Sequence, residues 1–117
     1  MIPEELNKIV INLVSNACDA VLDKKKKNVN FEAKIKIATK LINKQLIELV
    51  VQDNGEGISA ELANVIYNPF ETTKTPGKGV GLGLHIVYDL VTKNGGQIWW
   101  ERKTGMTQFI VRLPDKV

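Results

Sequence analysis

A chain of 117 residues is long enough for one domain with a single two-layer core and too short for two. Its apolar share of 44% and charged share of 25% are ordinary for a globular protein, and no stretch reads as a membrane span or a secretory leader. The formal charge of +3 is modest, and Lys24, Lys25, Lys26 and Lys27 lack interleaved aromatics, so they read as a solvated loop and no nucleic-acid partner is expected.

Glu4 and Glu5 after Pro3 suit the first turn of a helix. Leu6, Val10, Leu13, Ala17 and Val21 then recur at helical spacing, predicting a helix over about residues 3–22 that the charged stretch 23–30 ends. The single cysteine, Cys18, excludes an internal disulfide, fits a reducing compartment and reads as a small packed residue of that helix. Phe31, Ala33, Ile35 and Ile37 alternate with charged residues as in a strand. Asn43-Lys44 makes a tight turn, and residues 46–51 give an antiparallel partner. Ser59 is an N-cap candidate for a short helix to about residue 66, and residues 67–80 form a polar loop. A helix over about 81–93 stops at Asn94-Gly95-Gly96. Residues 97–101 and 107–113 read as a hairpin around Lys103-Thr104-Gly105. Trp99 and Trp100 cannot both face the core of one strand. These elements predict an α/β two-layer sandwich with a mixed, largely antiparallel sheet and about three helices on one face.

Gly77, Gly79, Gly81 and Gly83 fall at every second position where the loop meets a helix. Such spacing lets backbone N–H groups close around an anion at the positive end of the helix, so the pattern points to nucleotide phosphates. It is neither a Walker motif nor the dinucleotide fingerprint, because it lacks the Gly-Lys-Ser/Thr close and lies after a loop in the second half of the chain. Lys74 and Lys78 are placed to reach a terminal phosphate. His85, one turn into the helix, reads as a packed or half-exposed side chain and not as a phosphate acceptor.

Asn12, Asn16 and Asp19 stand at i, i+4 and i+7 on one face of the first helix. Asparagine is a poor helix-interior residue. The stripe is either solvent-facing amides or a set of oxygen ligands near a Mg²⁺ ion bridging phosphates. Asp53 closes an apolar strand before Gly55 and Gly57. It is either a turn cap or a carboxylate that accepts from the exocyclic amine of adenine.

Four blocks now stand in a fixed order. Asn12-Leu13-Val14-Ser15-Asn16-Ala17-Cys18-Asp19-Ala20 resembles the N box of the ATP-binding catalytic domain of sensor histidine kinases, in the superfamily shared with the gyrase, Hsp90 and MutL ATPases. Asp53-Asn54-Gly55-Glu56-Gly57-Ile58 is similar to the G1 box, Pro69-Phe70-Glu71-Thr72-Thr73-Lys74 to the F box, and Gly79-Val80-Gly81-Leu82-Gly83-Leu84 to the G2 box. The resemblance covers residues 1–117 and implies the Bergerat-type ATP-binding fold. The family's strand and helix ahead of the N box are expected to be largely missing.

The resemblance implies ATP and Mg²⁺ as cofactors. It makes Asn16 the metal ligand, with Asp19 beside the nucleotide and Asn12 as a polar neighbour of the phosphates. Asp53 would bind the adenine amino group, with Gly55, Gly57 and Ile58 lining the base and Thr107 assisting through water. Phe70, Thr72, Thr73, Lys74 and Lys78 would belong to a lid, and Gly79, Val80, Gly81, Leu82, Gly83 and Leu84 to the phosphate side. Asn12, Asn16 and Lys74 would serve catalysis. Hydrolysing relatives carry a glutamate where this chain has Asn12, so slow uncoupled hydrolysis is expected. The implied partners are a histidine-bearing dimerisation domain of a homodimeric parent and a response regulator, in the cytoplasm, with no direct membrane contact. An anti-sigma-type serine kinase on the same fold and a regulatory docking module without catalysis are the alternatives.

Overall fold

The structure is a computed structural model that describes residues 3–55 and 80–114. Helix α1 spans Pro3–Lys27, strands β1 and β2 span Ile35–Asn43 and Leu46–Asp53, helix α2 spans Val80–Lys93, and strands β3 and β4 span Gln97–Lys103 and Met106–Pro114. The sheet runs in the order β1-β2-β4-β3, and all three pairings are antiparallel. Both helices pack on one face, as expected for the sandwich. The predicted helix over 59–66 lies outside the described residues.

Period-two alternation decides which face is covered. Leu49 and Val51 of β2 stand opposite Val111 and Phe109 of β4. Ile98 and Trp100 of β3 stand opposite the same pair from the other side. These side chains meet Ile9, Leu13 and Ala17 of α1 and Leu84, Val87 and Val91 of α2 in one core. The opposite face is mixed: Val50, Ile110 and Trp99 form an apolar row, flanked by Arg112 bonded to Glu48 (3.0 Å), Lys40 beside it (3.5 Å) and Gln52 bonded to Gln108 (2.8 Å). Trp100 therefore faces the helices, whereas Trp99 faces out beneath the Arg112 guanidinium at 5.2 Å.

Strand β2 runs on past the expected residue 51 to Asp53 and β3 past 101 to Lys103, and two boundaries differ by more. Helix α1 continues through Lys27 instead of stopping near residue 22, because its lysines sit favourably at the negative end of the helix dipole. They also tether the segment between α1 and β1: Lys24 Nζ lies 4.7 Å from the Phe31 ring, and Lys25 Nζ donates to the Phe31 carbonyl (2.7 Å). Strand β1 begins at Ile35 and not at Phe31. The side chain of Asn54 takes the Glu32 carbonyl (2.9 Å) and the Lys34 N–H (2.7 Å), which removes that segment from regular pairing.

The chain reversals arise from local chemistry. Asn43 Oδ1 accepts from the Gln45 N–H (2.8 Å), so the turn falls on Lys44-Gln45. Helix α2 ends on Gly95 at φ 73°, with Gly96 N–H reaching the Val91 carbonyl (2.9 Å) and Gly95 N–H the Thr92 carbonyl (3.0 Å), a Schellman close. The β3–β4 hairpin turns on Thr104 (φ 51°) and Gly105 (φ 77°). Two positive φ values make a type I′ turn, which favours Asn-Gly and disfavours a β-branched residue. Thr104→Asn should therefore stabilise the fold by about 0.5–1 kcal/mol, read as a higher denaturant midpoint at unchanged slope.

Candidate nucleotide site

Strand β2 stays apolar on its covered face until its last residue, where the alternation that buries Leu49 and Val51 carries Asp53 inward. Asp53 is 2% exposed. Its Oδ1 accepts from the Gly55 N–H (2.8 Å). Burial pushes its carboxyl above the usual carboxylate range, and the Gly55 N–H and the Arg102 charge pull it partway back. Opposite it on β4 stands Thr107, also 2% exposed. One strand further, Arg102 pairs with Thr107, and its Nη1 donates to Thr107 Oγ1.

Helix α1 brings the second group. Ala20 packs against Gly55 so closely that a Cβ on Gly55 would fall 2.5 Å from the Ala20 carbonyl carbon. Asn12, Asn16 and Ala20 are spaced i, i+4, i+8, so they form one line along α1 and that line ends at Gly55. At about 1.5 Å rise per residue, Asn16 stands about 6 Å along the helix from that contact. Asn12, Asn16 and Asp19 are half-buried. Asn12 Nδ2 donates to the Lys8 carbonyl (2.7 Å), which turns one of its two amide groups back onto its own helix. The Ala20 end of this line thus meets the turn that follows the base-side carboxylate.

Helix α2 brings its start to the same region. Lys93 near its C-terminus bonds Glu5 near the start of α1 at 2.8 Å, so the two helices run antiparallel. Gly96, just past α2, lies against Arg112 and Leu113, at the end of β4 opposite to Thr107. The first turn of α2, with Val80, Gly81, Leu82 and Gly83, accordingly lies toward the Asp53 end of the sheet. Leu84 is a core residue, 1% exposed, that seats this turn. His85 faces Asp89 one turn on (3.1 Å).

Gly57, Ile58, Phe70, Thr72, Thr73, Lys74, Lys78 and Gly79 lie outside the described residues. Among the described residues, Arg102 is a polar neighbour of Asp53 that the sequence reading passed over. The signal was available: a two-residue turn at Thr104-Gly105 pairs Lys103 with Met106 and hence Arg102 with Thr107. Among the described residues no group of three or more His, Cys, Asp or Glu could hold a metal ion, and no helix is long and apolar enough to cross a membrane.

A family model described as histidine kinase-, DNA gyrase B-, and HSP90-like ATPase matches residues 1–117. The two-component sensor PprA of Pseudomonas aeruginosa is 39% identical over 114 residues, covering 95% of this chain and 12% of PprA. The sensory histidine kinase/phosphatase NtrB of Rhizobium leguminosarum is 31% identical over 118 residues, covering 95% of this chain and 30% of NtrB. The chain therefore spans well under half the length of these curated relatives. Among solved structures, the nucleotide-free catalytic domain of histidine kinase ThkA matches with a TM-score of 0.73 at 34% identity, over 95% of this chain and 66% of that one.

Proposed function

Since this chain belongs to the histidine kinase-, DNA gyrase B-, and HSP90-like ATPase family, as an ATP-binding catalytic domain of the sensor-kinase type, we propose that it holds ATP with Mg²⁺ and presents the γ-phosphate to a histidine on a separate dimerisation domain. The observation that carries this reading is the convergence of three groups: the buried Asp53 carboxylate, the Asn12–Asn16–Ala20 line that ends on Gly55, and the first turn of α2.

Each group has a distinct task. Asp53 accepts a hydrogen bond from the adenine amino group. Because the site is dry at that point, the charged bond discriminates strongly against bases without the donor. The first-turn N–H groups of α2 have no partner within the helix and face the phosphates. Asn16 offers an amide oxygen to the metal, and Asp19, one turn on, adds charge nearby. That donor set suits Mg²⁺, which keeps several waters and takes most of its other oxygens from phosphate. When bound, the ion neutralises charge on the transferring phosphoryl group. Gly57, Ile58, Phe70, Thr72, Thr73, Lys74, Lys78 and Gly79 complete the reading as base lining and lid, with Lys74 reaching the terminal phosphate.

Asn12 separates transfer from waste. An amide does not take a proton from water at neutral pH, so the site positions ATP without activating water. Catalysis then rests on orientation and on electrostatic stabilisation of in-line attack by the incoming histidine nitrogen. The phosphoryl group leaves ATP as ADP is released and passes to that nitrogen. The partners in this reading are the dimerisation domain of a cytoplasmic, homodimeric kinase portion and, downstream, a response regulator.

Titration calorimetry with ATP, with and without Mg²⁺, tests the reading. Saturable binding strengthened by Mg²⁺ supports it, and absence of binding in both conditions refutes it. Asn16→Ala is expected to lose most of the Mg²⁺-dependent gain while keeping metal-free ATP affinity within about twofold, since one ligand is removed and the base contacts stay. An unchanged metal titration would remove Asn16 from its role.

A further inference from the structure

Arg102 stands in a row that no motif block includes. Across three strands, on the helix-covered face, Asp53 of β2 lies opposite Thr107 of β4, and Thr107 lies opposite Arg102 of β3. Directly opposed residues have Cβ atoms about 4.5–5.5 Å apart, so the three side chains form one continuous polar ledge. Arg102 is exposed over most of its length, yet its Nη1 reaches back to Thr107 Oγ1. Thr107 itself is sealed at 2% exposure.

The bond has a definite polarity. A guanidinium only donates and stays charged at every relevant pH, whereas a hydroxyl has one proton to give and can also accept. With a cation already donating to its oxygen, Thr107 is disfavoured as acceptor for a second N–H and polarised as a donor. The ledge then offers an acceptor, Asp53, beside a donor, the Thr107 hydroxyl. Adenine carries the complement on one edge, an amino donor next to a ring-nitrogen acceptor. A 6-oxo purine carries the reverse, a carbonyl acceptor next to a ring N–H.

We propose that Arg102 is a positioning residue of the base site, fixing the Thr107 hydroxyl as a donor beside Asp53 and so setting the preference for an adenine edge over a 6-oxopurine edge. This rests on the reading of Asp53 as the base acceptor.

The test compares ATP with ITP, both with Mg²⁺, by calorimetry on the parent, Arg102→Met, Arg102→Lys, Thr107→Val and the Met/Val double variant. Arg102→Met keeps an unbranched apolar stem and removes the donor. It is expected to shrink the ATP:ITP affinity ratio about tenfold, the equivalent of one lost oriented hydrogen bond, and Arg102→Lys to restore part of it. In the Thr107→Val background the Met substitution should change the ratio no further, because its route runs through the hydroxyl. A merely structural role would lower both affinities together and leave the ratio alone. An Arg102→Met ratio equal to the parent's overturns the proposal, as does an equal shrinkage with and without the Thr107 hydroxyl. If Arg102→Met fails to fold, Arg102→Ala takes its place, alone and with Thr107→Val, and is read on the same terms. Asp53→Asn run beside these separates the two readings: parent-like ATP binding there removes Asp53 as base acceptor, and this proposal with it. Weakened binding in Asp53→Asn with an unchanged Arg102→Met ratio removes only the role given to Arg102.

Discussion

Asp53→Asn is expected to weaken ATP binding by about 10²–10³-fold while leaving the fold as stable as before or more so. The two halves of this result have one cause. Asparagine keeps the size of the side chain and an Oδ1 that can still accept from the Gly55 N–H, so the local turn survives. It loses the charge, and it can turn an amino group toward the exocyclic amine it should bind. The native carboxylate is costly to the fold, since burial raises its proton affinity. A carboxyl raised above its unfolded value contributes stability below the ordinary carboxylate range, and loses it as pH rises through the raised value. Binding has the opposite dependence, because the ionised form is the stronger, acceptor-only partner. Parent ATP affinity should therefore fall as pH drops through the raised Asp53 range, with Asp53→Asn flat over the same interval. Glu48, held low chiefly by its bond to Arg112, and Glu5, held low chiefly by Lys93, have the opposite sign: each contributes stability that is lost as pH falls through its own lowered value. Circular dichroism and calorimetry over one pH series check both statements. A variant that binds ATP like the parent, or a parent affinity independent of pH in that interval, would exclude Asp53 from the base site.

How far the sequence carried depends on the kind of interaction involved. Helix α2 and the β3–β4 hairpin were legible to within one or two residues at most ends, because their limits are written in glycine: Gly95 supplies the left-handed cap and Gly105 the second turn residue. The sheet with helices on one face came from period-two and helical spacing, which report burial directly. The end of α1 did not. Four consecutive lysines read as a solvated break, but they complement the helix dipole, and two of them are held by Phe31 and by Asn54. The late start of β1 was hidden for a related reason. Alternation at Phe31–Ile37 is local, whereas the Asn54 side chain that diverts residues 32–34 lies about twenty positions away. At the site, Asp53, Asn12 and Asn16 were legible because each breaks the pattern around it: a carboxylate closing an apolar strand, and amides in a helix. Arg102 was not, since a charged residue near a hairpin tip breaks no pattern. Only the cross-strand register reveals that it shares a row with Asp53.

Gly55→Ala is expected to cost the fold about 2–3 kcal/mol and to lower ATP affinity at the same time. The backbone at Gly55 is not left-handed, so the penalty is one of space. An added Cβ would meet the carbonyl carbon, oxygen and Cβ of Ala20 at 2.5, 2.6 and 2.7 Å. Two of these atoms belong to a helix backbone, so relief requires α1 to move away from the end of β2 as a body. For a domain near this size each kcal/mol shifts the melting temperature by about 4 °C or more, so a drop of about 8–12 °C is expected. The same movement separates Asn16 from Asp53, because α1 carries the first and β2 the second. Gly105→Ala provides the contrast. Nothing lies within 4 Å of a Cβ there, but φ is +77°, so the cost is backbone strain of about 1 kcal/mol at a hairpin tip. That variant should melt slightly lower and bind ATP as the parent does. If both alanines destabilise and only Gly55→Ala weakens binding, the contact at Ala20 is what sets the distance between the metal end and the base end. Parent-like stability and affinity in Gly55→Ala would mean that α1 and β2 are not clamped at this point, and the convergence on which the nucleotide reading rests would lose its physical basis.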